Sequence, residues 1–350
     1  MKFFVSFFFL FSALKVSGQN QNYPPKTNRT VSYTQLETSF KHPGTAARPW
    51  VYYFSLNGNL TKKGITADFE AMARVGIGGI LYMEVNQGTP KGAADFAGSL
   101  WMEMFSHACS EAKRLGLEIT MNNDAGWNGS GGPWITPEMS MQKVVWSEIV
   151  VDKTNQLPFV LPNPKALNNF YQDIALLAMP APVAGSLIND FENKSSSTLG
   201  IYKNYASLAA DFKEAPVGTV IKGDQIIDLT SKMDREGRLT WTPPPGKWLV
   251  MRFGHTSTGK ENHPAPDTGV GLECDKLSKA AATLHFDNLM GKIIQKNKSF
   301  TGQDKQLVGV HIDSWENGSQ NWTPLIRDEF CKRRGYDILP FLPVLSGRIR

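Results

Sequence analysis

The sequence predicts an α/β fold, a partial (β/α)8 barrel of the TIM type that is interrupted by an inserted all-β, sandwich-like domain. Three observations support this prediction. Strand-like and helix-like segments alternate through residues 48–142, which is the pattern of a parallel sheet with crossover helices. Each of these strands ends in polar residues, as strands do at the active-site end of such a barrel. The helical period then disappears over residues 143–260 and returns in residues 261–350.

The first half of the predicted barrel, residues 48–142, contains βα units 1 to 3. The predicted elements are a strand over 50–56, a helix over 62–76, a strand over 79–85, a helix over 99–115 and a strand over 117–121. The first strand is rich in aromatic and β-branched residues, which favour extended backbone. The second helix is predicted to bury a stripe of Leu100, Met104 and Ala108, which recur at helical spacing.

Residues 143–260 form the predicted inserted β domain. The predicted strands cover residues 144–151, 173–179, 219–221, 225–229, 238–241 and 247–253, with turn-rich segments between them. Several short strands at this spacing indicate a sandwich.

The barrel pattern resumes in residues 261–350. A helix over 278–296, a strand over 307–313, a helix over 324–334 and a further strand over 339–345 are predicted. These bring the barrel strands to four or five, whereas a closed barrel needs eight. We therefore expect the barrel to be truncated before closure.

The N-terminus is predicted to lie outside the fold. Lys2 precedes an apolar run over residues 3–14 that is too short to span a bilayer, and small residues precede Gln19. This is typical of a secretory signal peptide over residues 1–18, so we expect a secreted or periplasmic protein. Residues 19–47 are polar and read as a leader. No later segment has eighteen apolar residues, so no membrane span is expected.

Charge and cysteine content exclude several classes of protein. Loss of Lys2 and Lys15 with the signal peptide leaves 35 basic against 32 acidic residues, a net charge of +3 that is too small and dispersed to indicate nucleic-acid binding. The three cysteines, Cys109, Cys274 and Cys331, have no zinc-binding spacing and cannot form a disulfide scaffold.

Polar residues follow the first three predicted strands. These residues are Asn57, Glu84, and the pair Asn123 and Asp124. Parallel strands of a barrel end at one face, where substrates bind, so all four are candidate substrate-binding residues. The glycine-rich loop over 122–132 adds Trp127, whose ring suits a sugar face. The alternative is a turn-rich connector whose tryptophans belong to the core.

The most informative segment is 307–316, because its apolar strand ends abruptly in His311, Asp313, Trp315 and Glu316. A carboxylic acid beside an aromatic ring at a barrel mouth is typical of a glycoside hydrolase. Glu316 is the candidate general acid, since a glycosidic oxygen leaves poorly without a proton. Asp313 is the second candidate catalytic residue, and it could orient Glu316, bind a hydroxyl or hold a cation. His311 and Trp315 are candidate substrate-binding residues.

These assignments have structural alternatives. Glu316 could cap the following loop or pair with Arg327, and Asp313 could bind the strand-end backbone. A glycosidase that inverts the anomeric carbon also needs a second carboxylate roughly 6.5–9.5 Å away. Glu84 and Asp124 are candidates within the chain, although the absent half of the barrel is the preferred source.

Further polar residues lie near the end of the predicted β domain and shortly after it. His255 is a candidate substrate-binding residue, and Glu273 and Asp275 are of the type that binds calcium. Their spacing matches no EF-hand loop, so the metal ligands stay unassigned. No zinc site is expected at His255 and His311.

Four stretches, residues 48–79, 239–255, 271–276 and 313–316, resemble glycoside hydrolase family 106, the α-L-rhamnosidases of plant-polysaccharide-degrading bacteria. The resemblance runs from about residue 45 to 347. It implies a secreted enzyme with a (β/α)8 catalytic domain, β accessory domains, calcium at the active site, and inversion. Its substrate would be a plant polysaccharide or oligosaccharide with terminal α-L-rhamnose. A non-catalytic glycan-binding protein, an inactive fragment and a glycosidase of different specificity are the alternatives.

Overall fold

The computed structural model describes residues 30–181, 187–188, 191, 219–302 and 305–348, which form parts of two compact units. The predicted signal peptide lies outside the described residues. In the first unit, Met1–Ala46, the predicted leader contains a helix, α1 (Tyr33–Lys41). Ser32 and Gln35 form a capping box at its start, a signal that is visible in the sequence.

The second unit, Ala47–Arg350, holds a parallel sheet and two antiparallel sheets. In chain order its described elements are β1 (Trp50–Leu56), α2 (Lys62–Arg74), β2 (Gly79–Val85), α3 (Ser99–Leu115), β3 (Glu118–Ala125), β4 (Gln142–Val151), β5 (Phe159–Val160), β6 (Gln172–Pro180), β7 (Ile227–Asp228), β8 (Arg238–Leu239), β9 (Trp248–Ser257), α4 (Lys279–Asn288), α5 (Met290–Lys296), β10 (Leu307–His311) and α6 (Ile326–Arg334). The mixed α/β prediction is therefore confirmed.

The parallel sheet has the strand order β1-β2-β3-β10. Trp50 pairs with Gly79 in register, and His311 pairs with Asn122 although the whole antiparallel part lies between them in sequence. The described residues show four parallel strands with free edges at β1 and β10, and closure into a barrel is not seen among them. All four strands run the same way, so their carboxyl ends share one edge.

One face of this sheet is buried against helices. Phe69 of α2, Trp101 and Phe105 of α3, and Ile293 of α5 pack over Tyr82 and the neighbouring strand residues. The predicted stripe of α3 is wrong at Leu100, which is exposed, because the buried face turns toward Trp101 instead. On the opposite face of β1 four apolar residues are exposed, namely Trp50, Tyr52, Phe54 and Leu56.

The antiparallel sheet, with the order β4-β9-β6-β7, is buried on both faces. One face packs against Trp322, Leu339 and Leu342, and the other against Leu239 and Trp241 beside the small β5-β8 sheet. The domain boundaries at residues 142 and 260 stay a prediction. Residues after 320, among them Trp322, Leu339 and Leu342, nevertheless pack on this sheet.

Several predicted elements differ in the structure. Residues 219–221 are not a strand, and the predicted strand over 339–345 is a 3-10 helix, Leu339–Ser346. Pro340 and Pro343 lack the N–H groups that a sheet ladder needs. The predicted helix over 278–296 is two helices that meet at Leu289. No helix among the described residues is long and apolar enough to cross a membrane.

Candidate active site

The site is built around the loop that follows β3. Asp124 is buried, and its Oδ1 accepts hydrogen bonds from the Asn122 side chain at 3.0 Å and the Gly129 backbone at 3.1 Å. Burial raises the pKa of Asp124 well above its ordinary value, and repulsion from Glu273 adds to the shift. A Cβ at Gly129 would lie 2.7 Å from Ile312, so glycine allows this loop to reach the end of β10.

Asn123 is held through both its side chain and its backbone. Its amide donates to the carbonyl of Gly129 at 2.8 Å, and its own carbonyl lies 2.6 Å from Nε2 of His285. Trp134 Nε1 donates to Nδ1 of His285 at 3.1 Å, so the proton of the neutral ring is on Nε2. Burial lowers the pKa of His285, which favours this neutral form. Sequence reasoning missed His285, because nothing near it in the chain marks its role.

Glu316 lies against the Trp127 indole. Trp127 Nε1 donates to Oε2 of Glu316 at 3.2 Å, and the Ser314 backbone N–H donates to the carbonyl of Trp127 at 3.1 Å. The structure thus brings together two residues that the sequence singled out separately. The alternative pairing of Glu316 with Arg327 is not seen, because Arg327 binds Asp337 at 2.6 Å.

His311, Asp313 and Trp315 precede Glu316 in sequence and lie at or just beyond the end of β10. Nε2 of His311 is 3.4 Å from Oδ2 of Asp313, and Ser314 Oγ donates to Oδ1 of Asp313 at 3.0 Å. The Trp315 ring is 52% exposed, and Lys276 Nζ lies 5.1 Å from its centroid. An exposed indole beside two carboxylates can receive a sugar ring.

Behind these residues lies the buried carboxylate of Glu273. It accepts hydrogen bonds from Ser130 Oγ at 2.9 Å and Asn317 Nδ2 at 3.2 Å, and it pairs with Lys276. Sequence reasoning considered Glu273 only as a calcium ligand and missed Asn317. The position of Asn317 directly after Glu316 was the available signal.

Glu84 and Asn57 have partners of their own. The Glu84 carboxylate is buried and accepts hydrogen bonds from the Gly58 N–H at 3.0 Å and Trp101 Nε1 at 2.8 Å. Burial raises its pKa to about 7, against the opposing effect of these hydrogen bonds. Asn57 sits in a left-handed turn with φ of 48° and donates to the carbonyl of Thr89 at 2.8 Å.

His255 belongs to the antiparallel sheet. Its Nδ1 lies 3.1 Å from the side-chain oxygen of Gln142, and its ring packs against Phe170 and Trp322. Burial lowers its pKa to about 4. In the described part of the chain, none of the Asn57, Glu84 and His255 side chains forms a hydrogen bond with Trp127 or Glu316.

The two residues suggested as calcium ligands, Glu273 and Asp275, already have other partners. Glu273 is already paired with Lys276, and both Asp275 oxygens accept hydrogen bonds from neighbouring groups. Within the described ranges, no group of three or more His, Cys, Asp or Glu side chains could hold a metal ion.

Oxygens of the kind that calcium binds lie elsewhere, in and next to the loop after β3. Oδ2 of Asp124 and Oδ1 of both Asn122 and Asn128 are buried and unpartnered. They supply fewer than the six oxygens that calcium requires, so solvent or substrate oxygens would have to complete the shell.

Comparison with known proteins identifies the family. A family model for alpha-L-rhamnosidase matches residues 41–186 and 180–350. A Formosa agariphila protein provisionally named a beta-glucuronidase is 40% identical over 334 residues, which are 95% of this chain and 28% of that protein. The fold is similar to that of the rhamnosidase from Novosphingobium sp. PP1Y, with a TM-score of 0.75 and 24% identity over 90% of this chain and 43% of that one. The chain thus spans less than half the length of either relative, and it belongs to glycoside hydrolase family 106, the α-L-rhamnosidase family.

Proposed function

We propose that this chain is the part of a secreted or periplasmic glycoside hydrolase that carries its general acid, Glu316. The enzyme would remove terminal α-L-rhamnose from a plant polysaccharide or oligosaccharide with inversion of the anomeric carbon. The observation that carries the proposal is the contact between Trp127 Nε1 and Glu316 at the carboxyl edge of the parallel sheet. Membership of family 106 supports the same reaction class.

The chemistry follows from the groups around Glu316. Trp127 binds one oxygen of this carboxyl group, Oε2, which fixes the side chain and leaves the other oxygen able to carry the proton. That proton would pass to the glycosidic oxygen as the bond breaks, because an alkoxide is a poor leaving group. Trp315 would provide the face on which a sugar ring stacks, and Asp313 with His311 would bind its hydroxyls.

Inversion also requires a carboxylate that activates water on the opposite face of the sugar. Among the candidates named from sequence, Glu84 is enclosed by Trp101 and Gly58, which argues against it. Asp124, near the end of β3, accepts a hydrogen bond from Gly129 in the loop that carries Trp127, and it is the better candidate within the described residues. We further propose that in the whole protein the parallel sheet closes into a (β/α)8 barrel around this site.

Calcium is part of the proposal on the strength of the family resemblance. Asp124, Asn122 and Asn128 would hold it through their free oxygens. When bound, the ion would hold sugar hydroxyls and favour the charged form of Asp124, which burial otherwise disfavours. Removal of divalent ions with a chelator should then abolish turnover of aryl rhamnosides, and added calcium should restore it. Activity that is indifferent to the chelator would end the calcium proposal.

A second specificity is favoured by one observation, the provisional name of the Formosa agariphila relative. A β-glucuronidase would use the same acid on a sugar that carries a carboxylate. Lys276 is the cation beside Trp315, but Glu273 already neutralises it, which favours a neutral sugar such as rhamnose. Parallel assays with aryl α-L-rhamnoside and aryl β-glucuronide decide between the two. A protein that binds glycans and cleaves neither would support the non-catalytic alternative.

The central test is Glu316→Gln in the protein expressed from its complete reading frame. Turnover of phenyl α-L-rhamnoside should fall by about 10²–10⁴-fold, the usual contribution of a general acid. The loss should be much smaller for 2,4-dinitrophenyl α-L-rhamnoside, because its phenolate leaves without a proton. Glu329→Gln, on the exposed face of α6, is the matched control and should stay close to wild type. Near-normal activity of Glu316→Gln toward both substrates would remove Glu316 from the mechanism.

A further inference from the structure

Glu273 is a fully buried carboxylate whose partners come from three separate segments. Ser130 Oγ donates to Oε2, Asn317 Nδ2 donates to Oε1, and Lys276 forms an ion pair with Oε2. A buried charge is stable only when its oxygens are satisfied in this way. The side chain therefore fixes every group that it contacts.

The two neutral partners of Glu273 have a common feature. Ser130 belongs to the loop that carries Trp127, and Asn317 directly follows Glu316. Trp127 and Glu316 are the two ends of the 3.2 Å hydrogen bond at the candidate site. One buried carboxylate thus anchors both sides of that contact, from behind.

The neighbouring residues strengthen this arrangement. Asn317 also donates to the carbonyl of Glu261, and Lys276 lies over the Trp315 ring. The consecutive residues Trp315, Glu316 and Asn317 are therefore held by three different groups. A segment that is held at each residue has little freedom to move its carboxyl group.

We propose that Glu273 is a positioning residue, which holds the Trp127 loop and the Glu316 segment together so that the acid meets the glycosidic oxygen. This inference rests on the proposed function of Glu316 as the general acid. Glu273 itself would not touch the substrate, because it lies buried behind Glu316. Lys276 neutralises its charge, and the hydrogen bonds to Ser130 and Asn317 do the positioning.

The competing explanation is a buried ion pair that only stabilises the fold. Two double variants distinguish the explanations. Both remove the ion pair, but only one of them keeps the hydrogen bonds. In Glu273→Gln with Lys276→Met, the amide oxygen can still accept from Asn317, and the amide nitrogen can donate to Ser130 Oγ. In Glu273→Leu with Lys276→Met, both hydrogen bonds are lost at similar volume. Replacing both partners of a buried pair with neutral groups is often harmless to stability.

The readout is the ratio of kcat for 2,4-dinitrophenyl to that for phenyl α-L-rhamnoside, measured on the complete protein. Partial unfolding lowers both rates by the same factor, whereas a misplaced acid lowers mainly the rate of the poorer leaving group. The leucine double variant should raise the ratio by roughly 10- to 100-fold, with KM nearly unchanged, since small misplacements are that costly. The glutamine double variant should keep the wild-type ratio.

Three outcomes would overturn the inference. Equal losses on both substrates in the leucine double variant, which leave the ratio unchanged, would make Glu273 a stabilising residue only. A raised ratio in both double variants would assign the effect to Lys276. If Glu316→Gln itself leaves the ratio unchanged, Glu316 is not the acid, and the proposed function fails together with this inference.

Discussion

At the scale of single residues, the partners of each carboxylate distinguish its role. Glu84, Asp124 and Glu273 are all fully buried, but their partners differ. Glu84 is enclosed by an indole and a backbone N–H, Glu273 is neutralised by Lys276, and Asp124 retains an oxygen without a partner. Among the carboxylates in the described part of the chain, Glu316 combines a hydrogen bond from an indole with a place just beyond the end of β10. This combination supports the proposal that Glu316 is the acid.

Glu84 gives a prediction about stability and pH. Its pKa is about 7 in the folded chain and near 4.5 when exposed, so the folded state binds its proton more tightly. The contribution to stability is complete below pH 4.5 and is lost as the pH rises to 7, by up to about 3 kcal/mol. Glu84→Gln stays neutral, so this part of the pH dependence should vanish. Urea unfolding of the wild-type protein and of Glu84→Gln at pH 5 and pH 8 measures this difference. An equal change in unfolding free energy in the two proteins would contradict the raised pKa of Glu84.

At the scale of secondary-structure elements, helix ends are set by local chemistry. Thr61 and Ser278 cap α2 and α4, because each side chain accepts a hydrogen bond from the backbone N–H three residues later. Gly116 and Gly335 end α3 and α6 in left-handed conformations that favour glycine. Gly116 explains why the end of the helix that was predicted over roughly 99–115 agrees with the structure. The break at Leu289 has no such signal.

Gly116 allows a matched test of this argument. Its φ is 69° and a Cβ would meet no atom within 4 Å, so Gly116→Ala should cost about 1 kcal/mol through backbone strain alone. Gly291 lies inside α5, where a Cβ makes only ordinary contacts, so Gly291→Ala should instead stabilise by roughly 0.5 kcal/mol. Thermal unfolding compares the two. A shift of the same sign in both variants would refute the explanation.

At the scale of the whole molecule, the exposed apolar face of β1 bears on whether the parallel sheet closes into a barrel. Tyr52 and Phe54 stack with their centroids 5.6 Å apart, and both are exposed. Soluble proteins seldom expose contiguous apolar patches of this kind unless something covers them. Closure of the parallel sheet into a barrel would bury this face as its interior.

The barrel proposal makes a quantitative prediction for Phe54. Phe54 is 46% exposed, and Phe286 on α4 is 41% exposed, so the two are matched in type and exposure. If further strands close the barrel over β1, Phe54→Ala in the complete protein should cost about 3–5 kcal/mol, the value for a core phenylalanine. Phe286→Ala, on the outer helical layer, should cost much less. Equal and small effects on the unfolding free energy would argue against closure.

The sequence by itself determined most of the elements, the order in which parallel and antiparallel parts follow one another, and the segment that carries Glu316. Apolar periodicity and capping residues are local, so they can be read along the chain. The sequence did not determine which polar residues meet. Glu84 and His255 form hydrogen bonds elsewhere, whereas Ser130 and Asn317 both bind Glu273. Ser130 and Glu273 are 143 residues apart, and Asn317 follows Glu273 by 44. Only the tertiary structure decided this convergence, because it depends on how the chain crosses from the parallel sheet into the β domain and back.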